Sequence, residues 1–136
     1  MSRRTARELS MKLLYQLDIQ IEHRDNQIGL FLELNPLSEK DKEYFISIIN
    51  GVYNKLNYID DIVSKISKGW KLERISKVDL AILRLAVYEI AFREDIPYNV
   101  SINEAVELAK NYSSKESSSF INGILGKVVE KIKNDA

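Results

Sequence analysis

The chain has 136 residues, no net formal charge, 45% apolar and 29% charged side chains, no cysteine and one histidine. That describes one ordinary globular domain able to bury a real core without staples. It excludes disulfides, thiolate metal sites and cysteine nucleophiles, and His23 alone excludes a multi-histidine metal site.

The first helix is predicted from about Arg3 to Glu22, with Ala6, Leu9, Leu13, Leu17 and Ile21 recurring at spacings of three and four. A short helix over Asn26 to Leu34 is stopped by Pro36. Ser38, with Asp41 three residues on, reads as the next helix start. Phe45, Ile48, Val52, Leu56, Ile59, Val63 and Ile66 continue the period, with a kink or division near Gly51 or Asn57-Tyr58 and an end at Gly69. From Ile75 to Arg93 apolar residues surround the helix, which marks it as central. Its Arg84 and Glu89 then need partners, and structural ion pairs are expected. Asp95-Ile96-Pro97 breaks the chain, after which Ser101 to Glu104 and Ser113 to Glu116 read as capping boxes opening the last two helices. Gly123 and Gly126 lie inside the final helical pattern and predict close approach of another backbone. The sum is an all-α fold of about seven helices.

Charge is unevenly distributed. Residues 1–12 carry a net +3, residues 13–62 a net −5 and the remainder +2. A basic head beside an acidic middle suits a local contact, not a broad basic surface. The polar N-terminus and the lack of any apolar run near the roughly 18 residues of a membrane span predict a cytoplasmic protein without a membrane partner.

Catalytic constellations are not found. His23 lies in the polar stretch Glu22 to Asp25 and reads as a solvated surface residue. No glycine-rich phosphate loop occurs, since Gly123 and Gly126 are followed by no Lys-Ser/Thr. Adjacent acids such as Asp60-Asp61 diverge on a helix. Binding features are stronger. Arg3, Arg4 and Arg7 share helical spacing, and arginine forks suit phosphate oxygens and stack on bases. The same run also reads as a frayed, solvated terminus. At the start of the last helix, free N–H groups and Lys115 favour an anion. Phe120, one turn further in, is either a stacking platform or a core residue.

Three ordered blocks carry a resemblance: RRTARELSMKLLYQLD at the start, WKLERISKVDLAILRLAVYEI in the middle and IPYNVSINEAVELAKNYSSKESSSFINGILGKVV near the end. Over nearly its whole length the chain resembles the NusB family of bacterial transcription antitermination factors. The resemblance implies two packed helical bundles, approximately residues 1–68 and 69–136, forming one RNA-binding domain. It implies binding of the boxA element of ribosomal RNA leaders as single-stranded RNA, together with NusE, a small-subunit ribosomal protein. The pair would join the RNA polymerase antitermination complex and prevent premature termination, with no cofactor, metal or enzymatic step. By position it assigns RNA contacts to Arg3, Arg4, Arg7, Lys115, Glu116, Phe120 and Asn122. Partner contacts fall on Tyr15, Asp79 and Tyr98. Gly126 stands where the family often has an acid. Two other functions are weighed. The front part of ribosomal RNA cytosine methyltransferases is similar, but a Rossmann-type cofactor domain does not fit within these residues. A protein adapter, acting as a homodimer through exposed tyrosines, is the other.

Overall fold

The computed structural model describes residues 3–20, 22–67 and 72–135. Among these residues the chain forms seven α-helices and no strand: α1 (Arg3–Ile19), α2 (Arg24–Leu34), α3 (Glu39–Asn54), α4 (Leu56–Ser67), α5 (Lys77–Phe92), α6 (Tyr98–Tyr112) and α7 (Lys115–Asp135). A 3₁₀ turn, Leu72–Arg74, precedes α5. The expected end of the first apolar stripe at Ile21, the stop at Gly69 and the division between residues 68 and 69 all lie outside the described residues.

Helix α5 is the axis of the fold. Leu80, Ala81, Ile82, Leu83, Leu85, Ala86, Val87 and Ile90 are all buried, so its middle is covered on every side, as its nearly all-round apolar composition predicts. α1 and α3 pack on one side of it, with α2 on α1, while α4, α6 and α7 pack on the other. The α1 stripe of Ala6, Leu9, Leu13 and Leu17 is buried against this axis, and Phe45, Ile48, Ile49 and Val52 bring α3 into the same core. α1 runs antiparallel to α5. Arg7 near its start meets Glu89 near the end of α5, and Asp18 near its end meets Lys77 and Arg84.

Serine caps set the boundaries. The Asp41 N–H donates to Ser38 Oγ at 3.2 Å, and the Asp79 N–H donates to Ser76 Oγ at 3.2 Å, starting α3 and α5. Two expected capping boxes are corrected. Residues 101–104 do not open α6; the helix begins three residues earlier, after Pro97, whose carbonyl accepts from Val100 and Ser101. Proline presets the backbone for a helix entry, which frees Ser101 to turn its hydroxyl inward to Glu89. For α7 the cap is Ser114, not Ser113, because Ser114 Oγ accepts from the Ser117 N–H at 3.0 Å. The division expected near Gly51 or Asn57 falls at Lys55, between α3 and α4.

The glycines also depart from expectation. A Cβ at Gly123 or Gly126 would meet nothing within 4 Å, so neither admits a neighbouring backbone. Gly51 is the tight one, because a Cβ there would lie 2.2 Å from Tyr88 Cζ.

Arg84 and Glu89, the two α5 charges expected to need partners, find them. Arg84 donates in a fork to Asp60 at 3.0 and 2.9 Å and to Asp18 at 3.0 Å. Burial alone would lower the Arg84 guanidinium, but these carboxylates outweigh it and raise it. Glu89 is completely buried and accepts from Arg7, from the Ser101 hydroxyl and from the Tyr44 hydroxyl. These donors satisfy carboxylate oxygens that burial would otherwise leave without partners, at a large cost.

Candidate nucleic-acid interface

The arginines of the head point three ways. Arg3 lies over the Tyr44 ring, 4.4 Å from its centroid, with Asp41 3.6 Å away. Arg4 is exposed and forks onto Glu104 of α6, with bonds of 3.1 and 2.7 Å. These bonds raise the Arg4 guanidinium and hold the Glu104 carboxyl below the usual range. Arg7 is 4% exposed, and its fork donates to Glu89 at 2.8 and 3.3 Å. The single arginine face expected from spacing is therefore divided, and Arg7 serves the interior. The physical reason is that the start of α1 packs against α3 and α5, and its inward position faces the buried Glu89 carboxylate.

At the start of α7, Lys115, Glu116 and Asn122 are exposed and Phe120 is half-buried against the core. Phe120, Glu116 and Ser117 line a groove of about 230 Å³ with Arg74, Ser76 and Asp79. Asp79 is 6% exposed; its Oδ2 accepts from Ser117 Oγ at 2.8 Å, while its Oδ1 has no donor. A residue expected to hold a protein partner thus shares a groove with residues expected to hold RNA.

Tyr15 lines a second groove, of about 550 Å³ and mostly apolar, with Leu9, Met11, Ile19, Phe31, Val78 and Tyr112. Val78 and Asp79 are consecutive on the first turn of α5, so the two grooves flank that turn and bring Tyr15 and Asp79 to one region. Tyr98 is not part of it. It opens α6, at the opposite end of that helix from Tyr112, and carries Lys133 of α7 5.6 Å above its ring.

The head and the α7 start are set apart along α5. Asp79, which binds the α7 start, and Arg93, which shares the Tyr44 ring with Arg3, are fourteen residues apart along α5, or about 20 Å. What joins them is a row the sequence reading passed over. Arg4, Glu8, Lys12 and Tyr15 follow one another at helical spacing along the outer side of α1. Tyr112, at the end of α6, donates to Glu8 at 3.3 Å and lies under Lys12, 5.2 Å from its ring centroid. Tyr112 is two residues before the Ser114 cap, so the row runs from Arg4 to Lys115. The Lys12 signal was present in the net charge of the head; nothing local marks Tyr112, because its exposure depends on where α6 stops.

A model of the NusB family matches residues 4–130. The chain belongs to the NusB family. The transcription antitermination protein NusB of Acetivibrio thermocellus is 61% identical over 130 residues, covering 96% of this chain and 90% of the relative. Among solved structures, T. maritima NusB is 36% identical with a TM-score of 0.87, covering 96% of this chain and 92% of that one. A structure of the antitermination factors NusB and NusE in complex with double-stranded RNA is 25% identical with a TM-score of 0.86, covering 95% and 96%. This NusB-family chain is accordingly a transcription antitermination protein. No helix among the described residues is long and apolar enough to cross a membrane, and no group of three or more His, Asp or Glu among them could hold a metal ion.

Proposed function

We propose that this protein binds boxA-type single-stranded RNA of ribosomal RNA leaders together with the ribosomal protein NusE, as a cytoplasmic, non-enzymatic part of the RNA polymerase antitermination complex. The observation that carries this is the exposed row from Arg4 through Lys12 and Tyr112 to Lys115, at the start of the helix that bears Phe120. It combines cations for phosphates with rings for bases, the two elements single-strand recognition uses. The solved NusB–NusE complex with double-stranded RNA supports both kinds of partner. Arg4, Lys115, Glu116, Phe120 and Asn122 are the RNA contacts, with Lys12 and Tyr112 added to them. Arg3 contributes from the Tyr44 side. Tyr15 and Asp79 meet NusE across the two grooves beside the α5 start, and the whole chain acts as a single domain.

Mechanistically, arginine and lysine neutralise phosphates, a ring receives a base, and the partner provides a second wall. The chain is neutral overall, so it binds RNA weakly alone and more tightly with NusE. A gel-shift titration of boxA RNA, with and without NusE, tests this. Failure to shift in either case overturns the RNA assignment. Phe120→Ala should weaken binding with the fold retained; a large loss of stability instead makes Phe120 a core residue. The apolar groove at Tyr15, where Ile19 is 63% exposed, also suits a second copy of the chain. Sedimentation across a concentration series separates that homodimer from a monomer awaiting NusE.

A further inference from the structure

A second group of exposed rings lies at the other end of α5. Phe92 is 38% exposed and Tyr58, on the first turn of α4, is 47% exposed. Their centroids are 5.5 Å apart in an edge-to-face arrangement, and Tyr88 packs on the other side of Phe92 at 5.4 Å. Lys55, between α3 and α4, holds its ammonium 5.3 Å from the Phe92 centroid. The cluster rests on Gly51. A Cβ there would lie 2.2 Å from Tyr88 Cζ and 2.3 Å from its hydroxyl, so any other residue would lift Tyr88 and, with it, Phe92. Glycine is a poor helix former, and its place in the interior of α3 is explained by this seat.

The cluster is continuous with the head. Arg93 follows Phe92 and donates to Ser47 Oγ at 3.5 Å, one turn before Gly51 on α3. Its guanidinium lies 5.4 Å from the Tyr44 ring, which also carries Arg3. Arg3, Arg93, Phe92 and Tyr58 therefore form one strip. Its arginines are already paired: Asp41 lies beside Arg3, and Asp95 accepts from Arg93 through two bonds of 2.9 Å. Phosphates gain little there. The Tyr58 ring is what the strip offers a base, since Lys55 and Tyr88 already lie against Phe92.

We propose that this strip is a second RNA subsite, on which an unpaired base flanking the bound element stacks against Tyr58, braced by Phe92, after the strand passes Arg3. The inference rests on the RNA-binding reading above. A base needs only a ring face, and stacking is tolerant of sequence. A protein partner is disfavoured, because two half-exposed rings bordered by charged side chains fall far short of the roughly 800 Å² per partner of a stable interface.

The test uses the full chain with NusE and two probes: a boxA RNA alone, and the same RNA extended by oligouridine at either end. Tyr58→Ala, at an exposed position, should weaken binding of one extended RNA about fivefold or more and leave the unextended RNA unchanged. The salt dependence should stay as in the wild type, since no phosphate contact is lost. Gly51→Ala, with folding checked by its melting curve, should produce the same selective loss by displacing Tyr88 and Phe92. In the extended RNA, 4-thiouridine should crosslink to the peptide containing Tyr58 or Phe92. Equal affinities of wild type and Tyr58→Ala for both probes, with normal binding of the core RNA, overturn the subsite and leave the proposed function standing. Absence of RNA binding by the wild type overturns both. Loss of NusE binding by Tyr58→Ala, with the RNA affinity of the lone chain unchanged, makes the strip a protein surface and overturns the proposal.

Discussion

Replacing Arg7 by Leu decides whether this arginine serves RNA or the core. Arg7 and Glu89 have side-chain exposures of 5% and 0%, so this is a buried pair, unlike the exposed pairs that add little to stability. Removing one member leaves the other as an uncompensated buried charge, which costs about 3–5 kcal/mol. The Tyr44 and Ser101 hydroxyls still donate to Glu89 in the variant, which places the loss near the lower end, about 3 kcal/mol. Against a total stability of about 5–15 kcal/mol, that is a large fraction. For a domain of this size the midpoint should fall by roughly 10–15 °C. Arg7→Lys should lie between, because lysine keeps the charge but not the fork. The assay is urea unfolding at pH 7 followed by circular dichroism, paired with an RNA titration of each folded variant. A loss under about 1 kcal/mol, accompanied by a weaker salt dependence of RNA binding, would refute the structural assignment of Arg7.

Arg4→Gln and Lys115→Gln should each reduce the slope of log affinity against log salt by about 0.7 while the melting curve stays in place; unchanged slopes remove those residues from the interface. Asp18 gives the acid limb a definite sign. Burial would raise its carboxyl, but hydrogen bonds from Lys77 and Arg84 outweigh this and hold it below the ordinary range. Its contribution is therefore present above the unfolded value of about 4 and is lost as pH falls through the depressed folded value. Stability measured by urea between pH 2 and 7 should fall less steeply below about pH 4 in Asp18→Asn, and an equally steep acid limb would show that Asp18 does not carry it. Gly51→Ala should destabilise by about 1–3 kcal/mol through its clash with Tyr88, despite the better helix propensity of alanine. Gly123→Ala and Gly126→Ala meet open space and should stabilise by about 0.5–1 kcal/mol each in the same unfolding assay; destabilisation would mean a contact that the fold does not show.

Much of the fold is legible because local period and packing agree. The stripe of Leu9, Leu13 and Leu17 and the all-round apolar composition of 77–92 make α1 a surface helix and α5 the axis before any contact is known. Ser38 and Ser76 act as caps because no competing partner draws their hydroxyls away. Ser101 satisfies the same consensus and does otherwise, because Glu89 takes its hydroxyl and Pro97 starts the helix earlier. Tyr98 separates from the other expected partner residues because α6 carries it to the far end of the bundle.

The basic head marks the same boundary. Sequence by itself determined that α1 begins with Arg3, Arg4 and Arg7, that its apolar stripe faces a core, and that the chain resembles NusB over its length. Only the tertiary structure decided which arginine meets solvent. Arg7 finds Glu89 82 positions away and Arg4 finds Glu104 100 positions away, separations over which no local pattern specifies a partner. A buried guanidinium needs its carboxylate and an exposed one does not, so the contact, not the residue type, sets what each arginine can do.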